Sequence, residues 1–271
     1  MPQLVDTHCH IQSIGQTTGE RGTRELWAKA PELTSERVVA DAAAAGVTRL
    51  ICVGCDPADS RLAIDFARQR TGCWASIGIH PHEARHYAKA ANQRREFAEL
   101  AAEPKVVAVG ECGLDYYYEH SPRQDQVEVL KFQIELALER GLPVIFHVRE
   151  AFDDFWPVID GYDGLRGVLH SYTDSAANLT KALNSGLFIG VNGIATFTKD
   201  AAQLEVYRSI PSDRLLLETD APFLAPKPHR GQINQPKHIV EVADFLADLR
   251  AQSLADLAKT TTDNARKLFG I

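Results

Sequence analysis

Eight short runs of apolar and β-branched residues, each followed by a longer stretch with helical spacing, set the tightest limit on what this chain can fold into. The runs are LVDTHCH, RLICVGC, CWASIGIHP, VVAVGECGLD, PVIFHVR, GVLHSY, LFIGVNG and LLLETDAP. Helical spacing is clear over residues 35–45, 59–70, 93–102, 125–140, 176–185 and 201–209, and turn signals such as Gly46, Gly72, Pro104, Gly141-Leu142-Pro143 and Gly186 follow most of these. Strand-to-helix intervals of roughly twenty to forty residues suit βα units with parallel strands. Eight such units in 271 residues predict an α/β chain folded as a closed (β/α)8 TIM barrel, with an open doubly wound sheet as the alternative. No linker rich in Pro, Gly or Ser divides the units and no fixed-period repeat is present, so residues 1–271 are read as one domain.

Composition narrows the function classes. A content of 45% hydrophobic and 24% charged residues is that of an ordinary globular protein. The net charge of −7 argues against a broad nucleic-acid-binding surface, because affinity for the phosphate backbone comes largely from Lys and Arg. Any such contact has to be local. The five cysteines are odd in number and irregularly spaced, which reads as free thiols in a reducing compartment. Cys52 and Cys55 form a C-x-x-C, but no second pair accompanies it and Cys52 lies inside an apolar run, which counts against a zinc or redox role. Met1 leads directly toward a strand, without the basic and apolar regions of a signal peptide, and no later apolar run approaches membrane-spanning length. The expected compartment is the cytoplasm, away from membranes. Two excursions interrupt the alternation. Residues 11–31, containing SIGQTTGERG, are too long and polar for a minimal βα loop, and residues 221–236 are dense in Pro, Gly, Arg and Lys. Long loops on compact domains are often functional.

Several apolar runs close on residues that are costly to bury without a partner. His8 and His10 stand one residue apart, and strand alternation places both on one face with Cys9 on the other. VVAVGE ends in Glu111, PVIFH in His147, GVLH in His170 and LLLETD in Asp220. A parallel barrel brings all its strand ends to one face, so these six groups are expected to converge. Imidazole and carboxylate together suit Zn²⁺, Mn²⁺, Fe²⁺, Co²⁺ or, with water completing the shell, Mg²⁺. Four histidines and two carboxylates exceed the needs of one tetrahedral ion, which favours two divalent cations bridged by a carboxylate.

With VDTHCH, GIHPH, GECGLDYY, IFHVREA, LHSY, ETDAPFL and PHRGQINQP in that order, the sequence resembles the TatD family of metal-dependent hydrolases, relatives of the amidohydrolases, over nearly its whole length. The resemblance implies a TIM barrel and a divalent-metal phosphodiesterase, TatD-like members being regarded as deoxyribonucleases of 3′→5′ exonuclease type. The implied partner is DNA, cut at single-stranded ends, with two ions drawn from Mg, Mn or Zn as cofactors. It implies that His8, His10, Glu111 and Asp220 hold the first metal and that Glu111 bridges to a second held by His147 and His170. His80 matches the family's substrate-side histidine, and Arg230 and Asn234 match its last-loop motif. Asp220 would orient the attacking water and accept its proton, while His80 would hydrogen-bond a phosphate oxygen or protonate the leaving oxygen. Arg230, Lys227 and Arg149 are expected to form a local positive rim. The insert at 11–31 exceeds the family's usual connection, and as a lid it would select a smaller substrate.

Other readings stay open at this stage. Tyr116, Tyr117 and Tyr118 could offer a face for base stacking, though core packing is the expectation for at least two of them. Asp115 orients either a ligand histidine or its own loop. A hydrolase of a small cyclic amide, ester or lactone is the rival enzyme, disfavoured because Glu111 rather than a lysine fills the bridging position. A non-enzymatic metal-binding barrel is the rival from outside catalysis. Oligomeric state is not fixed by the sequence, and a monomer is consistent with it.

Overall fold

The computed structural model describes residues 3–271. Its eight strands are β1 (Leu4–Cys9), β2 (Val47–Val53), β3 (Cys73–Ile77), β4 (Val106–Asp115), β5 (Val144–Arg149), β6 (Gly167–Leu169), β7 (Phe188–Val191) and β8 (Leu215–Leu217). They lie in chain order in one sheet, and every neighbouring pair is parallel. The sheet closes just beyond β8. Cys9 bridges Ala221, the His10 N–H donates to the Ala221 carbonyl at 2.8 Å, and the Asp220 N–H donates to the His8 carbonyl at 2.8 Å. This is the (β/α)8 barrel that the alternation predicts.

Two apolar layers hold it. One side chain from nearly every strand fills the barrel interior: Val5, Ile51, Val107, Ile145, Val168, Phe188 and Leu216, with Trp74 of β3 packed against them. Ala265, Leu268 and Phe269, from the C-terminal helix Leu254–Phe269, complete this cluster. The opposite strand faces, such as Leu50, Cys52, Ala75 and Phe146, join helix residues in the larger surrounding core. The helices start where capping chemistry allows. Asp56 accepts the Asp59 N–H and Pro57 takes the first turn, and Ser253 accepts the Asp256 N–H. The helix after β2 therefore spans Pro57–Arg68, two residues earlier than spacing alone predicts. The insert at 11–31 is not a bare loop. It contains a 3-10 turn, Ile11–Ser13, and a helix, Arg21–Trp27, whose Trp27 is buried and donates from Nε1 to the His10 carbonyl at 3.0 Å.

Two glycines let the backbone crowd around β4. A Cβ on Gly78 would lie 2.4 Å from the Glu111 nitrogen, and one on Gly113, at φ +154°, would lie 1.8 Å from the His147 carbonyl oxygen.

Candidate metal centre and active site

Glu111 sits in the middle of an imidazole cage. Its Oε2 is 3.3 Å from His8 Nε2, while Oε1 is 2.7 Å from His147 Nδ1, 3.5 Å from His80 Nε2 and 3.7 Å from His170 Nε2. Asp220 faces the same space, with Oδ1 3.3 Å from His10 Nε2 and 3.7 Å from His8 Nε2. All six residues that the strand-end pattern singles out therefore meet at one end of the barrel, and His80 meets them. Three trios, His8–His10–Glu111, His8–His170–Asp220 and His80–Glu111–His147, each offer donor atoms within 4.8 Å of one another. The trios overlap: His80 lies with Glu111 and His147, and His170 lies both with His8 and Asp220 and 3.7 Å from Glu111.

Neighbours aim the rings. His10 donates from Nδ1 to the Val53 carbonyl at 2.9 Å, leaving Nε2 for the centre. His170 Nδ1 lies 3.0 Å from Glu218 Oε1, and His147 Nε2 lies 3.2 Å from Asp115 Oδ2. Ring-to-carbonyl and ring-to-carboxylate contacts of this kind fix the tautomer and orientation of metal-binding histidines. The His82 N–H donates to His80 Nδ1, so the His80 ring proton is on Nε2, facing Glu111. Neither ring nitrogen of buried His8 has a hydrogen-bond partner, an expensive arrangement for an imidazole unless a cation takes a lone pair. A nitrogen-and-oxygen donor set with such an orphaned ring fits a divalent metal.

Electrostatics point the same way. Burial and the His170 charge hold His8 below the ordinary histidine range, and burial takes His80 down to about 4. Burial also opposes a proton on His10, but the Asp220 hydrogen bond and charge outweigh it and lift the pKa to about 9. His147 reaches about 9 against burial through Asp115 and Glu111, and His170 about 10 through Glu218 and Glu111. Burial would raise Glu111 and Asp220, yet the surrounding histidines hold both below the usual carboxylate range. The cage thus demands positive charge. A divalent ion would supply it and release imidazole protons on binding.

Residues outside the strand-end pattern complete the site. Buried Glu218 accepts the Ser171 N–H at 2.6 Å as well as facing His170. Asp6, fully buried in β1, accepts from the His8 and Thr219 N–H groups and the Thr219 hydroxyl, joining the strand of His8 to the segment of Asp220. His10, Cys55 and Asp59 form a further buried trio. Glu218 was visible in LLLETD as a second acidic residue closing the same apolar run, two positions before Asp220.

Asp115 serves both of its candidate roles. Besides His147 it faces His82 Nε2 at 2.9 Å, and its Oδ1 accepts the N–H groups of Tyr117 and Tyr118 at 3.0 and 2.9 Å. That tight turn corrects the expectation for the tyrosines. Only Tyr116 packs on the core, its hydroxyl donating to Asp154, whereas Tyr117 and Tyr118 are thrown outward. Asn234 is buried and donates to the Thr219 and Phe223 carbonyls, pinning the turn that carries Asp220. Asp220 itself adopts a left-handed φ of 58°, a conformation aspartate tolerates better than most residues. The expected positive rim does not touch the cage. Arg230 lies 3.8 Å over the Phe197 ring and donates to the Ala225 carbonyl. Arg149 covers Tyr117, and among the described residues no ion pair joins Arg230, Lys227 or Arg149 to the six. All five cysteines are free and buried, and among the described residues no helix is long and apolar enough to cross a membrane.

A family model described as TatD related DNase matches residues 5–270. The chain is 35% identical over 270 residues to the "uncharacterized metal-dependent hydrolase YabD" of Bacillus subtilis, covering 99% of both chains. It is 36% identical over 242 residues to the "3′-5′ ssDNA/RNA exonuclease TatD" of Escherichia coli, covering 86% of this chain and 92% of that protein. Among solved structures, the TatD homologue YJJV of Escherichia coli superposes with a TM-score of 0.86 at 26% identity, over 99% of this chain and 98% of the other.

Proposed function

The chain belongs to the TatD related DNase family of metal-dependent hydrolases, and on that premise we propose that it cleaves phosphodiester bonds of DNA as a 3′–5′ exodeoxyribonuclease acting on single-stranded ends. The observation that carries this reading is the position of Glu111, one carboxylate within 3.7 Å of four imidazoles. In this reading the chain, residues 1–271, is one catalytic domain, in which His8, His10, Glu111 and Asp220 would hold one divalent cation, and Glu111, His147 and His170 would hold a second. When bound, such a pair acidifies water and neutralises charge on a phosphoryl group.

The chain's own residues do the rest. Asp220 orients the attacking water and takes its proton, its backbone fixed by the His8 carbonyl and by the Asn234 anchor. His80, neutral and carrying its proton on Nε2, donates to a phosphate oxygen or to the leaving oxygen. Arg230, on the loop after β8, meets a substrate phosphate farther out. The relatives named as 3′-5′ ssDNA/RNA exonucleases support the substrate class.

The test is an assay of the purified protein, stripped with chelator and reloaded with Mg²⁺, Mn²⁺ or Zn²⁺ in turn, on 5′- and 3′-labelled single-stranded oligonucleotides beside a panel of small esters and lactones. Metal-dependent shortening from one end supports the reading. Turnover of the small substrates with intact oligonucleotides overturns it in favour of a small-molecule hydrolase.

A further inference from the structure

Tyr117 and Tyr118 keep 53% and 49% of their surface open, the two large hydrophobic side chains left exposed among the described residues. They are not loose. The Asp115 carboxylate ties both backbone N–H groups, and the Arg149 guanidinium lies 4.0 Å from the Tyr117 ring centre and 4.8 Å from that of Tyr118. Tyr118 is also parallel to His120 within 7°, at 5.7 Å between centres. A polar turn has thus spent its hydrogen bonds on holding flat rings toward solvent.

The rings are continuous with the metal cage. His147 lies 4.6 Å from His80, His80 lies 4.3 Å from His82, and His82 meets His120 at 4.6 Å and Tyr118 at 5.5 Å, all edge to face. Beyond His120 the surface opens into a cleft of about 460 Å³ lined by Arg85, Glu119, His120, Pro122 and Arg123.

Resting on the nuclease reading above, we propose that Tyr118 and His120, backed by Tyr117 and Arg149, form a stacking subsite for a base of single-stranded nucleic acid adjacent to the scissile phosphate. Every base has a π-face, so such a platform accepts any sequence. It also suits a chain whose net charge of −7 denies it a broad electrostatic grip on a phosphate backbone. A small ester or lactone held at Glu111 would have no use for rings two imidazoles farther out, so the platform marks the substrate as a polymer. Arg85 and Arg123 lie where the strand continues, although Arg123 is already paired with Glu119 at 2.6 Å.

Steady-state hydrolysis of an end-labelled thymidylate decamer, and of the same decamer made abasic at the three nucleotides nearest each end, tests the subsite. Tyr118→Ala and His120→Ala should each raise KM on the thymidylate decamer about 10-fold, or about 1.4 kcal/mol, with kcat changed by less than about twofold. On the abasic decamer the wild-type KM should already be high and the alanine variants should add nothing, while Tyr118→Phe should behave as wild type on both. An unchanged KM on the thymidylate decamer in both alanine variants overturns the subsite, and so does an equal rise on the two decamers. If neither decamer is cut while bis(4-nitrophenyl) phosphate is turned over, the nuclease reading fails and takes the subsite with it.

Discussion

Replacing Asp6 with alanine should loosen the seam where the barrel closes. Asp6 has no exposed surface, and it accepts the His8 N–H at 3.2 Å, the Thr219 N–H at 2.9 Å and the Thr219 hydroxyl at 2.5 Å. Alanine leaves two buried backbone N–H groups unmatched, each costing about 1–3 kcal/mol, or about 2–6 kcal/mol together. Against a typical total of about 5–15 kcal/mol that is a large share, and it corresponds to a fall in Tm of roughly 4–12 °C for a chain of this size. Asparagine keeps one acceptor oxygen for the two N–H groups and should cost about 1 kcal/mol. Burial, opposed by the Thr219 hydrogen bonds, pushes the Asp6 pKa up to about 7 from an unfolded value of 3.8. A raised acid pKa favours the folded state while the group holds its proton, so this contribution is lost as pH rises from about 4 through about 7. Asp6→Asn should therefore fall further behind wild type at pH 5 than at pH 8. Thermal unfolding by circular dichroism in chelator, which removes any effect through bound metal, reads all three proteins. A Tm for Asp6→Ala within about 1 °C of wild type, or Asn as damaging as Ala, would refute the clamp.

Metal content after dialysis checks the bridge: Glu111→Ala should lose both cations and His147→Ala mainly the second, and full occupancy in Glu111→Ala would reject the assignment. Asp220→Asn keeps one oxygen donor but removes the proton acceptor, so kcat should fall at least about 10²–10⁴-fold. Return to near wild-type turnover in excess metal would make Asp220 a ligand only. Trp27→Phe removes the indole donation to the His10 carbonyl, at about 1 kcal/mol in stability. It should shift the ratio of activity on long and short oligonucleotides while metal content stays at wild-type level. An unchanged ratio would show that the insert at 11–31 is no lid.

The convergence of the six polar strand-end residues was legible because parallel strands end together. Once VVAVGE, PVIFH, GVLH and LLLETD are recognised as strands, their final polar residues have to share one face. Alternation also worked for His8 and His10, whose rings lie 5.0 Å apart. Asp6 drew no notice in the sequence, because its partner Thr219 lies 213 positions away, in the segment that closes the barrel. The helix Arg21–Trp27 was hidden for a related reason. Its helical stretch is short and polar, and its anchor, the buried Trp27, gains its partner from the barrel rather than from its own segment. The outward tyrosines were misread because an apolar ring in sequence suggests burial, whereas the Asp115 turn that exposes Tyr117 and Tyr118 is a matter of three-dimensional hydrogen bonding.

The seam at Asp6 also sets when, during its own manufacture, the protein can become active. Asp6 and Thr219 stand 213 positions apart, so the first strand can meet β2 early, but its other edge waits for the segment that follows β8. Until the segment through Ala221 has left the ribosome, His8 and His10 lack the Asp220 carboxylate that faces them. A nascent or prematurely ended chain therefore carries the histidines and Glu111 but no assembled cage. A chain ended before Asp220 lacks one of the six groups that the barrel brings together.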